Sequence, residues 1–215
     1  MEMQKFTCFY IENINKCKWL TFFDFDEYLK MFSENEENIR IKEFLSNKRY
    51  NNCETILINW VMYTDNDLIY YDNRSSLERF TTPLFNYSYN YYVKPIIRGN
   101  LDKQIFTINK SHHTPNKEVK SCDVLWHIRT RLKDAINPPI HKYAYLIHFN
   151  TRSAEEYVEK VKRGYPGNRT AEINLKVQLY FKINHFTEEK LRFFEKSFNR
   201  SLNNIRKIFN RAKNK

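Results

Sequence analysis

The chain has 215 residues, a net charge of +11, and 41% hydrophobic and 16% aromatic content. That is enough for one domain with a sizeable core and too apolar for a disordered chain. Its three glycines, Gly99, Gly164 and Gly167, exclude a glycine-rich phosphate loop, and no apolar run reaches the ~18 residues of a membrane-spanning helix. The basic balance favours anionic partners without choosing among nucleotide sugars, anionic membranes and nucleic acid. Cys8, Cys17, Cys53 and Cys122 show no CxxC pairing. Neither a zinc cluster nor a disulfide framework is therefore expected, and reduced thiols in a cytoplasmic protein are the simpler reading. The N-terminus carries no signal-peptide pattern.

In chain order, Phe6, Phe9, Tyr10 and Ile14 recur at helical spacing, which predicts a helix over 5–16. Trp19-Leu-Thr-Phe-Phe23 reads as a buried strand. It ends in Asp24-Phe-Asp26-Glu27, and on a strand residues two apart point the same way. Two convergent carboxylates suit a hard divalent cation; the plainer reading is an acidic turn capping the next helix. A helical turn is expected over 26–32, a charged loop over 33–38 and a short helix over 38–46. Thr55–Tyr63 is strand-like, and Thr64-Asp65-Asn66-Asp67 is turn chemistry. A helical turn over 76–80 precedes a tyrosine-rich connection, 87–92. Strands are expected at 92–97 and 104–108, and the stretch 110–130 reads as loop with at most one strand.

Pro138-Pro139 leads into a strand over 143–148. Ser153-Ala-Glu-Glu156 is a capping box, and Gly164 follows Lys160, Lys162 and Arg163 as a helix stop. From Thr187, Leu191, Phe194, Phe198, Leu202, Ile205 and Phe209 lie at three- and four-residue spacing. This predicts one amphipathic helix with a basic end.

Four blocks in order resemble family 2-like and family 92-like glycosyltransferases. Lys18-Trp-Leu-Thr-Phe-Phe-Asp-Phe-Asp-Glu-Tyr-Leu29 is similar to their DXD segment. Ile58-Asn-Trp-Val-Met-Tyr63 resembles the strand that follows it, and Lys94-Pro-Ile-Ile-Arg98 a strand flanked by basic residues. His148-Phe-Asn-Thr-Arg-Ser153, with Tyr157, Lys160, Arg163 and Gly164, resembles the family's "H-Y-x-x-K-S-x-x-E-F-x-x-K-x-x-R-G" ending. In that family a nucleotide-binding half precedes the DXD, whereas 23 residues precede Asp24 here. The expectation is the latter half of a longer enzyme, one completed by a partner chain, or a truncated relative.

The resemblance implies an α/β fold whose mixed sheet is like the C-terminal part of an A-type glycosyltransferase. The domain would span 1–186, followed by the basic amphipathic C-terminal helix, 187–215. It implies sugar transfer, with inversion, from a nucleotide diphosphate sugar to a hydroxyl of a glycan or glycoconjugate. Mn2+ or Mg2+ would sit on Asp24 and Asp26, with His148 as a third ligand. Lys160 and Arg163 would face the leaving diphosphate, and Lys94 and Arg98 would help to hold it. An inverting transfer needs a carboxylate base, for which Asp65 and Asp67 are the candidates. His113 and Trp126 are candidates for sugar contacts.

Each of these residues has a plainer role: core for His148 and Trp126, helix-end charge for Lys160 and Arg163, surface charge for Lys94 and Arg98, solvent-facing loop for His113, turn formation for Asp65 and Asp67. Two other functions stay open. One is a glycan-binding or assembly module without turnover. The other is nucleic-acid binding on charge alone, although no specific nucleic-acid motif is present. The basic C-terminal end leaves peripheral membrane contact open.

Overall fold

The computed structural model describes residues 9, 12–13, 15–101, 119–129, 135–164 and 173–213. The expected strand over 104–108, the candidate His113 and most of the expected N-terminal helix lie outside them. The described residues form a mixed α/β fold with an eight-stranded mixed sheet and six α-helices. Two compact units divide it, 1–61 with 86–148 and 62–85 with 149–215.

The first unit is built on β3 (Thr55–Tyr63), whose nine residues are all buried. This is what β-branched and aromatic residues on both faces of a central strand produce. β5 (Val93–Arg98) pairs antiparallel with it, and β1 (Trp19–Thr21) pairs antiparallel with β5. β6 (Ser121–Cys122) runs parallel to β3 and is followed by β7 (Ile128–Arg129). These are two short strands in a stretch whose sequence reads as loop with at most one strand. β8 (Ala144–His148) also pairs with β3, and β2 (Glu27–Met31) pairs antiparallel with β8. The helical turn expected over 26–32 is thus a strand, because the buried edge of β8 supplies hydrogen-bond partners that an isolated segment lacks. A short helix, α1 (Ile41–Ser46), follows β2 and buries Phe44.

The cysteine reading is also corrected. Cys53 and Cys122 form a disulfide, with a Cα–Cα distance of 5.7 Å and a sequence separation of 69. The parallel register Ile56↔Cys122 carries the second cysteine to the first, and spacing along the chain holds no trace of that approach. The argument for reduced thiols falls with it, since disulfides persist in oxidising compartments. Cys17 is a free, exposed thiol.

The second unit holds β4 (Pro83–Leu84), paired to the end of β3, the single turn α2 (Ser76–Arg79) and four longer helices. These are α3 (Ala154–Arg163), α4 (Ile173–Ile183), α5 (Glu188–Phe198) and α6 (Asn203–Lys213). α3 starts on the expected capping box: Ser153 Oγ accepts from the Glu156 N–H, and Glu156 accepts from the Ser153 N–H at 3.3 Å. It stops at Gly164, whose φ of 77° only a glycine adopts easily. The single C-terminal helix of the sequence reading is two helices. Asn199 turns left-handed at φ 47°, ψ 48°, a conformation asparagine tolerates. That break folds Leu202 and Ile205 into the same core as Tyr157, Tyr180, Leu191 and Phe194. The C-terminal segment thus packs on a helical core through Leu202 and Ile205. Among the described residues no helix is long and apolar enough to cross a membrane.

Candidate functional site

The Asp24–Glu27 segment is a tight turn between β1 and β2. The Glu27 N–H donates to the Asp24 carbonyl at 3.0 Å, and the Asp24 N–H donates to Glu27 Oε2 at 2.8 Å. This corrects the strand argument for the two aspartates, since β1 ends at Thr21 before either is reached. The turn sends the two carboxylates to different partners. Asp24 Oδ2 accepts from Lys94 Nζ at 2.9 Å. Asp26 Oδ1 lies 3.9 Å from His148 Nε2. Phe25, between them, is fully exposed at the tip.

Two strand pairings deliver these partners. The β2–β8 register sets Glu27 opposite His148, so the histidine at the end of one strand meets the turn at the start of the other. Lys94 comes from β5 and is 0% exposed. Its ammonium lies 3.5 Å from Glu27 Oε2, and the Glu27 side chain is likewise 0% exposed. Burial pushes the Glu27 carboxyl up to about 7, against the lowering pull of Lys94 and the Asp24 N–H. Trp60, on β3, packs its ring 4.5 Å from the His148 ring. The site is thus an anionic turn with one buried cation behind it and an imidazole at its side.

The other sequence candidates have their own surroundings. Arg98 donates to the carbonyls of Cys53 at 2.7 Å and Tyr50 at 2.6 Å and stacks on Trp19 at 4.2 Å; it pins the loop before β3. Trp126 packs on Tyr143 at 4.8 Å and carries Arg49 over its ring at 4.1 Å. It lines a cavity of about 280 Å³ with Phe32, Phe44, Tyr50 and Tyr143. That cavity lies at the far end of β8 from His148, about 16 Å away at ~3.3 Å per strand residue. Trp126 is therefore not a wall of the Asp24–Glu27 site.

Asp65, Asp67, Lys160 and Arg163 belong to the second unit. Asp65 is buried against Lys190 Nζ at 2.7 Å and accepts from the Tyr180 hydroxyl. Burial and Asp65 push that hydroxyl well above its ordinary range. A carboxylate so enclosed has no route to a substrate hydroxyl, so Asp65 is a structural ion-pair partner. Asp67 is more exposed and is held below the usual carboxylate range by its hydrogen bond from Lys190. Its N–H donates to Asp65 Oδ1 at 2.9 Å, the turn chemistry read from the sequence. Lys160 Nζ donates to the Asn150 carbonyl at 2.8 Å and to its amide oxygen at 2.9 Å, while Arg163 is exposed at the helix end.

Sequence reasoning left Glu27 and Trp60 out of the site. The signal for Glu27 was its place directly after the two aspartates. For Trp60 only the fold supplies one. Among the described residues no three His, Cys, Asp or Glu side chains form a ready metal cage. Magnesium-type ions, however, are commonly held by one or two carboxylates and completed by substrate phosphates and water. Two donors that each bind an ion at ~2.1 Å stand ~3–3.5 Å apart. Asp26 Oδ1 and His148 Nε2 stand 3.9 Å apart, somewhat wider than that spacing.

No protein-family model, curated protein or solved structure matches the chain.

Proposed function

We propose that the Asp24–Glu27 turn is the diphosphate end of a glycosyltransferase site, which moves a sugar from a nucleotide diphosphate sugar to a hydroxyl of a glycan acceptor. The observation that carries the reading is the approach of His148 to Asp26, across a register that sets Glu27 opposite His148. Asp26 and His148 would hold Mn2+ or Mg2+, with Asp24 available from the same turn. Bound there, the ion would neutralise charge on the leaving diphosphate. Lys94 pairs with Asp24 from beneath and so offsets one of the turn's negative charges before an anionic donor arrives. Glu27 fixes the turn by accepting the Asp24 N–H, and Trp60 holds the imidazole plane. The net charge of +11 favours encounter with an anionic donor.

The Lys94–Asp24 ion pair also favours a second reading. One carboxylate is already satisfied by an internal cation, as in a module that binds glycan without transferring it. Calorimetry with UDP-glucose, UDP-galactose and GDP-mannose, with and without Mn2+, separates the two. The transferase reading expects Mn2+-dependent binding that Asp26→Asn and His148→Ala each weaken at least about tenfold, with the circular dichroism spectrum unchanged. Equal affinity in variants and parent, or no donor binding at all, overturns it.

A further inference from the structure

No charged residue lies between Arg79 and Lys94, in a chain that is 28% charged. Within that segment Tyr87, Tyr89 and Tyr91 fall at every second position, with Tyr92 next, around the helical turn Ser88–Tyr91. Tyr87 and Tyr89 have ring centroids 5.5 Å apart with planes at 20°, and Tyr89 and Tyr91 6.3 Å apart at 19°. Near-parallel rings at a van der Waals spacing of ~3.5 Å must then slip sideways by roughly 4 and 5 Å. Neighbours overlap only at their edges, and each leaves part of its face uncovered by the next. Tyr89 is 39% exposed.

The inner end of this ladder leads to the candidate site. Tyr91 meets Tyr92 at 4.3 Å, Tyr92 meets Trp60 at 5.4 Å, and Trp60 meets His148 at 4.5 Å. His148 is the residue beside Asp26. The backbone beneath the rings is pinned. Asn59 Nδ2 donates to the carbonyls of Asn90 and Tyr91, both at 3.1 Å, and Asn59 Oδ1 accepts from the Ile140 N–H at 3.0 Å. Ile136 N–H donates to the Tyr91 carbonyl at 2.7 Å. Rings held this way lose little freedom on binding, which favours recognition.

The chemistry of the surface selects its ligand. Exposed aromatic faces accept the C–H face of a pyranose or the face of a nucleobase. A nucleic acid also needs cations for its phosphates, and this segment brings none. Tyrosine, serine and asparagine together offer flat faces and adaptable hydrogen bonds, a mix suited to neutral polar ligands. We propose that the tyrosine ladder is the acceptor track, binding a neutral oligosaccharide along Tyr87, Tyr89 and Tyr91. Calling it an acceptor track rests on the transferase reading; saccharide binding by the ladder does not.

The test is titration of the full chain with cello-, malto-, xylo- and chitohexaose and with poly(U), read by calorimetry and tryptophan fluorescence. At least one hexasaccharide is expected to bind without metal or donor. Tyr89→Ala should weaken it about tenfold and Tyr87→Ala/Tyr89→Ala further, while Tyr89→Phe, which keeps the ring, stays near parent affinity. Donor binding in Mn2+ should be unchanged by all three. No hexasaccharide binding, binding indifferent to the tyrosines, or tyrosine-dependent binding of poly(U) alone overturns the proposal. Saccharide binding lost with the tyrosines in a chain that binds no donor keeps the ladder and removes the transferase reading. Donor binding without tyrosine-dependent saccharide binding does the reverse.

Discussion

Glu27→Gln should stabilise the first unit above neutral pH, although it removes a carboxylate beside a buried lysine. The Glu27 carboxyl has an ordinary value of 4.5 and stands at about 7 in the fold, chiefly because burial penalises its charged form. The folded protein therefore binds a proton that the unfolded chain releases between those two values. Stability from this group is fully present below pH 4.5 and is lost as pH rises through about 7. At 1.36 kcal/mol per pH unit of difference, the loss is about 3 kcal/mol. Glutamine mimics the neutral acid: it can still accept from the Asp24 N–H and does not titrate. The assay is urea unfolding followed by tryptophan fluorescence, because Trp19, Trp60 and Trp126 all lie in the first unit. Parent and variant should coincide near pH 4.5. By pH 8 the variant should be ahead by about 3 kcal/mol, roughly 1–2 M in urea midpoint at a slope of ~2 kcal/mol/M. A variant that tracks the parent at every pH, or falls below it at pH 8, would mean that the Lys94 ion pair outweighs burial and that the reasoning is wrong.

Two further outcomes test the frame around the site. Closing a loop of 69 residues by the Cys53–Cys122 bond should contribute about 4 kcal/mol; reduction with dithiothreitol should lower the thermal midpoint of the first unit, and alkylation before reduction should leave both cysteines unlabelled. In the second unit, Lys190→Met strips the partner from a carboxylate that is 1% exposed and should cost about 3–5 kcal/mol. Asp65→Leu/Lys190→Met should recover part of that loss, and a single variant within 1 kcal/mol of parent in a circular-dichroism melt would refute the ion pair's structural role.

What the sequence determined by itself was local or periodic. Thr55–Tyr63 is a strand because β-branched and aromatic residues fill both of its faces. Ser153 and Glu156 open a helix, and Gly164 closes it, because those side chains satisfy or release the backbone within a few residues. His148 could be expected at a strand end because an apolar run stops there. Long-range pairing decided the rest. β2 is a strand because β8 offers it a buried edge, a fact absent from residues 26–32. Cys53 meets Cys122 through a parallel register, and Lys94 reaches Asp24 across β5, β1 and the turn, so neither approach leaves a mark in spacing. Asp65 reads as an acid by composition and becomes half of a buried ion pair only when α5 brings Lys190 to it. Alternating tyrosines read as a connecting loop until Asn59 pins their backbone and Trp60 joins their rings to His148. Local propensity acts over a few residues, whereas burial, pairing and charge compensation depend on residues that meet only in the folded chain, and the candidate site is made almost wholly of those.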